Sequence, residues 1–136
     1  MSNVGGDKLV LNKEYVTAGA NLADKTLVTV AGAVPANGAV AYGVVEKDTA
    51  NGDLATVKTS PGIIEIVATG SVTKGGKVEA LQGTVYGNIA GTSTAITAAG
   101  VQDLASGYPI GLAHTGTTTV GETVLVELFS NQAKTA

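Results

Sequence analysis

The chain has 136 residues, a formal net charge of −3 and eight basic side chains, all of them lysine. One domain accounts for that length, and about two-thirds of its unfolded surface can be buried without covalent staples. The absence of cysteine excludes disulfides and thiolate metal sites, and scattered lysines interleaved with acids argue against a nucleic-acid partner.

Gly, Ala, Val and Thr supply 75 residues, and Val, Ile and Thr alone supply 42. A β-branched excess broken by glycine predicts short strands joined by tight turns. Residues 1–7 read as a flexible polar arm. With no basic start and no apolar run, they carry no sign of a signal peptide. No apolar stretch approaches the roughly 20 residues of a membrane span. Strands are predicted over 8–16 and 26–30, where apolar residues alternate. Asn37-Gly38 marks a turn. Residues 39–47 and 53–59 form a hairpin around a second Asn-Gly, at 51–52. Residues 62–69 carry Ile63, Ile64, Ile66 and Val67, too continuous for a strand with one wet face, and read as a central strand covered on both sides. Lys74-Gly75-Gly76-Lys77 is a turn before a short strand, 77–81, with another over 84–89. Residues 97–106 read as a short helix, with Val101, Leu104 and Ala105 on one side. Strands 108–113 and 122–129 follow, and 131–136 form a polar tail.

One plan is written twice. Tyr42-Gly43-Val44-Val45 and Gly52-Asp53-Leu54-Ala55-Thr56-Val57 match Ile110-Gly111-Leu112-Ala113 and Gly121-Glu122-Thr123-Val124-Leu125-Val126. Each is a short apolar strand entered through glycine, a turn, and a return strand opened by glycine and an acid. A looser echo joins Gly19 to Leu22 with Gly70 to Val72. The spacing is about fifty residues in this echo and larger for the later pair, which places an insertion at 82–99. The expected fold is an all-β, small single-domain β-barrel or β-sandwich over 8–130; a barrel would remove bare strand edges.

The search for chemistry returns little. His114 is the sole histidine and has no second histidine or cysteine to complete a metal site. Glu46, Asp48 and Asp53 sit around a hairpin turn, where Asp is a turn former; a glycosidase pair would want aromatic platforms that this chain lacks. Lys47 could be the modified lysine of a carrier domain, but it stands at the end of a strand with four residues still to turn through. Lys74-Gly75-Gly76-Lys77 lacks phosphate-loop spacing and a following helix. Tyr15, Tyr42, Tyr86 and Tyr108 are either interface anchors or rim of the core. No catalytic residue and no cofactor is expected.

From Tyr42-Gly-Val-Val-Glu-Lys-Asp through Gly52-Asp-Leu-Ala-Thr-Val to Val72-Thr-Lys-Gly-Gly-Lys-Val-Glu, the chain resembles the small capsid decoration, or cement, proteins of tailed bacteriophages. Ile110-Gly-Leu-Ala and Val124-Leu-Val126 supply the ending of that pattern, so the likeness covers roughly residues 8–129. The chain departs from it at Lys74-Gly75-Gly76-Lys77, where the family often has Gly-Asp. The resemblance implies a non-enzymatic virion protein, made in the host cytoplasm, on the outer surface of an expanded phage head. Its implied partners are the major capsid protein and further copies of itself, with a trimer favoured, and neither nucleic acid nor membrane. The arm supplies candidate capsid contacts at Ser2, Asn3, Val4, Gly5, Gly6 and Asp7. A tail or fibre module, or a small carrier domain, remains the alternative.

Overall fold

The computed structural model describes residue 7 and residues 12–133. Among these, nine strands form one antiparallel sheet: β1 (Asn12–Thr17), β2 (Leu27–Val28), β3 (Gly43–Val45), β4 (Leu54–Thr59), β5 (Ile63–Val67), β6 (Lys77–Ile89), β7 (Thr92–Asp103), β8 (Gly111–Ala113) and β9 (Thr123–Leu128). Their order in the sheet is β1-β4-β3-β2-β7-β6-β8-β9-β5.

That order is palindromic once β7 is set aside. The run β1-β4-β3-β2 has its counterpart in β5-β9-β8-β6, read inward from the other end. The register agrees residue by residue. Val28 faces Gly43 and Val78 faces Gly111; Val16 faces Ala55 and Ile66 faces Val124; Val45 faces Val57 and Ala113 faces Val126. Isolated bridges repeat too, with Leu22 on Thr49 and Val72 on Thr117. Equivalent residues are 50 apart up to β2 and β6, and 68 or 69 apart afterwards. The extra residues make the outer part of the β6–β7 hairpin, at 82–99, where the sequence placed an insertion. The first half has only a tight turn there, closed by Thr29 N–H to the Ala33 carbonyl at 2.9 Å.

Burial follows the same duplication. One cluster holds Val16, Ala18, Leu22, Val28, Val45, Ala55 and Val57. Their counterparts Ile66, Ala68, Val72, Val78, Ala113, Val124 and Val126 all lie in the larger cluster, which also takes in Leu27 and Val44 from the first half. Fully burying each of the valines, leucines and isoleucines among them contributes about 1.5–3 kcal/mol, so many small side chains stand in for scarce aromatics. A third cluster joins Ala23 to Ile96 and Ala98, with Val85 and Ile89 packed on it, and lays the inserted hairpin against the first half.

Several expectations change. The sheet is not closed into a barrel: β1 and β5 end it, and an isolated parallel bridge, Ala68 to Val101, brings the end of β5 against β7. The helix over 97–106 is absent; Thr97 to Asp103 belong to β7, paired along β6. The 77–81 and 84–89 segments are one continuous strand. β5 is terminal, not central, yet Ile64 and Ile66 are fully buried because the sheet curls over them. The strand expected at 39–47 shortens to Gly43–Val45. Of the strand expected at 8–16, residues 8–11 lie outside the described residues.

Candidate interaction surface

The residues flagged for chemistry do not converge. His114 Nε2 lies 3.1 Å from Glu127 Oε1 across β8 and β9, both side chains exposed. Glu46 pairs with Lys13 at 2.5 Å; that hydrogen bond, with the Glu46 charge, raises the lysine pKa. Asp48 is a structural clip. Its Oδ1 accepts the Asp24 N–H at 2.8 Å and its Oδ2 accepts the Asn88 N–H at 2.7 Å, tying the inserted hairpin to the first half. Burial pushes the nearby Asp24 carboxyl up, against the pull of Lys25. Lys47 is exposed at a bend, and Lys74 to Lys77 form a turn that runs into β6, not a helix. Among the described residues no group of three or more His, Cys, Asp or Glu could hold a metal, and no helix is long and apolar enough to cross a membrane.

The one buried carboxylate among the described residues is also structural. Glu79 accepts Gln102 Nε2 at 2.7 Å, the Gly107 N–H at 2.7 Å and the Ala105 N–H at 3.1 Å. Burial favours its neutral form, but the bonds from Gln102 and from the Gly107, Ala105 and Ser106 amides together outweigh this and hold its pKa below the ordinary value. It fixes the loop from β7 to β8.

What the fold does assemble is apolar relief. An open groove of about 520 Å³ is lined by Val40, Tyr42, Tyr108 and Phe129, with Thr59, Ser60, Ser130 and Gln132. Three of the chain's five aromatics meet there. Val40 and Tyr108 are equivalent residues of the two halves, so the groove lies where the halves adjoin. Ser60 and Ser130 hydroxyls are 2.7 Å apart. Gln132 clasps Ala41, accepting its N–H at 2.9 Å and donating to its carbonyl at 2.8 Å. The tail therefore forms part of the wall. Val40 in its wall is 50% exposed, and Val30 beside it 71%. On the far hairpin Tyr86 is 72% exposed, and Tyr15 stands out from β1.

Sequence reasoning named the tyrosines but missed Val30, Val40, Phe129 and Gln132. Only Val40 had a signal in the duplication, since it stands two residues before Tyr42-Gly43 as Tyr108 stands before Ile110-Gly111. Of the arm candidates, Ser2, Asn3, Val4, Gly5 and Gly6 lie outside the described residues. Asp7 is held by the fold: Oδ1 accepts the Glu65 N–H at 2.7 Å, and Oδ2 pairs with Lys58. No protein-family model matches the chain, and no curated protein or solved structure matches it.

Proposed function

We propose that this chain is a structural virion protein that binds the outer surface of a phage head and stabilises the expanded capsid. The observation that carries the proposal is the use to which the shared motif is put. Its glycines set backbone geometry twice over, Glu46, Asp48 and Glu79 are engaged in a pair and in clips, and exposed apolar side chains face solvent. Such a surface recognises another surface. Binding only the expanded shell stabilises that shell by mass action. Many copies on a symmetric lattice multiply a weak contact when the copies also touch one another. A trimer with the major capsid protein beneath it is the assembly the resemblance favours. The arm that precedes Asp7 is the segment proposed to add a strand to a capsid edge.

The test is to add purified protein to expanded heads that lack it and to image the particles. Density on the head, with copies in proportion to the major shell protein, supports the proposal. Density on the tail points to a tail module. No binding, together with a mass addition on Lys47 in native protein, replaces the proposal with a carrier domain.

A further inference from the structure

We propose that Asn51 is a site of spontaneous modification, where the Gly52 main-chain nitrogen closes on the Asn51 side chain and converts it to aspartate and isoaspartate. The inference rests on turn geometry and does not depend on the phage-head reading.

The same tripeptide occurs twice, as Ala36-Asn37-Gly38 and Ala50-Asn51-Gly52. The fold puts both in the same kind of turn. The Ala39 N–H donates to the Ala36 carbonyl and the Asp53 N–H to the Ala50 carbonyl, each at 3.0 Å. Gly38 and Gly52 have φ of 72° and 93°. Each glycine amide is also held, Gly38 N–H on the Ala80 carbonyl and Gly52 N–H on the Ala18 carbonyl, both at 2.8 Å. That restraint is common to the two sites. A difference in reactivity must come from what else holds each asparagine.

At Asn37 the reacting group is itself engaged. Its Oδ1 accepts the Gln82 N–H at 2.8 Å, which pins the carboxamide on β6. The Gly38 carbonyl accepts the Tyr108 N–H at 2.8 Å, and a Cβ built on Gly38 would lie 2.9 Å from the Gly107 Cα. This turn is clamped from two sides. At Asn51 the main-chain N–H is held by Asn21 Oδ1 at 3.0 Å. The Asn51 carboxamide is exposed and makes no hydrogen bond among the described residues. A Cβ built on Gly52 would meet nothing within 4 Å. The tip can rearrange without displacing a neighbour, and the conformational freedom of glycine admits ring closure.

The reaction needs only water. The Gly52 nitrogen gives its proton to solvent and bonds to Asn51 Cγ. The Cγ–Nδ2 bond breaks, and Nδ2 leaves as ammonia. A cyclic imide remains. Water cleaving the new nitrogen–Cγ bond restores the main chain and leaves aspartate. Water cleaving the bond from that nitrogen to the Asn51 main-chain carbonyl leaves the chain running through the side chain, as isoaspartate. Either product places a new negative charge beside Asp53.

Two additional hydrogen bonds must open before Asn37 can react, so Asn51 should convert about tenfold faster in the folded protein. The full chain is incubated in mildly alkaline buffer, with and without urea. Peptide mass spectrometry follows the change from amide to acid at each site, and separation of the isomeric peptides scores isoaspartate. In urea the two tripeptides are alike and their rates should converge. The duplication supplies a second readout. Thr119 to Glu122 form the matching turn: the Glu122 N–H donates to the Thr119 carbonyl, the Gly121 N–H to the Ala68 carbonyl, and Gly121 has φ of 99°. Val120 is exposed, so Val120→Asn should fold, which circular dichroism checks. It installs Asn-Gly without a clamp and should convert at a rate close to that of Asn51. Equal rates at Asn37 and Asn51 in the folded protein overturn the proposal. So does an Asn51 that stays intact in the folded protein while the urea-unfolded chain converts. A folded Val120→Asn variant left unmodified at that position overturns it as well.

Discussion

Gly43 and Gly111 occupy one position in two copies of the same strand pair. A Cβ built on Gly43 would stand 2.4 Å from Val57 Cγ1 and 2.5 Å from the Lys58 carbonyl oxygen; on Gly111 it would stand 2.4 Å from Val126 Cγ1 and 2.7 Å from the Glu127 oxygen. Rigid backbone supplies one wall in each case. Gly43→Ala and Gly111→Ala should each destabilise the fold by about 1–3 kcal/mol through overpacking. Urea unfolding should give similar losses for both, and a much smaller loss at either site would break their equivalence.

The duplication also isolates one strained backbone. Lys25 has φ of 63° where its counterpart Gly75 has 84°; the Lys25 N–H donates to the Val45 carbonyl as the Gly75 N–H does to Ala113. A left-handed conformation costs a non-glycine residue about 1–2 kcal/mol, part of which glycine loses again in chain entropy. Lys25→Gly should therefore raise stability by about 0.5 kcal/mol. Gly75→Ala, with open space around it, should lower stability by about 1 kcal/mol through strain alone.

Glu79 should set part of the acid sensitivity. Its folded pKa lies below the ordinary 4.5, so its contribution is fully present above that value and is lost as the pH falls through the folded pKa. Glu79→Ala strands the Gln102 amide and the Ala105 and Gly107 N–H groups, at a cost of about 2–4 kcal/mol near neutral pH. Glu79→Gln should lose less and should flatten the fall in unfolding midpoint between pH 5 and pH 3.

Asp48 joins the inserted hairpin to the first half through two amides. Asp48→Ala should cost about 1–3 kcal/mol by leaving both without acceptors. Amide exchange should accelerate at Asp24 and Asn88 before it does at buried β9.

Asp7 separates two roles of the arm. Removing residues 1–6 should weaken binding to expanded heads; unchanged binding would take the arm out of the contact. Asp7→Ala should instead lower stability by about 1–2 kcal/mol, since the partly buried Lys58 and the Glu65 N–H both lose their acceptor.

The repeated strands, the turns at Asn37-Gly38 and Lys74 to Lys77, and the insertion at 82–99 were legible because glycine and β-branched residues encode local backbone geometry directly. The segment 97–106 was misread because Ala98, Ala99 and Gly100 serve close packing. A Cβ on Gly100 would lie 2.2 Å from the Val67 carbonyl oxygen, so small residues there admit β5 and do not signal helix. The closed barrel failed for a related reason: whether the end strands meet depends on sheet curl, a long-range property. The chain instead leaves its end strands apart and guards them with charge, Lys13 and Glu14 on β1 and the Asp7 carboxylate on β5. The aromatic groove was invisible because Tyr42, Tyr108 and Phe129 converge only when the two halves are brought together.

The palindromic strand order is what fusion of two four-stranded protomers about a dyad would leave behind. The larger core is shared by both halves, with Leu27 and Val44 crossing into it. A fragment ending near Thr59 would expose those two side chains and lose β7 as the neighbour of β2, so the first half should not fold in isolation.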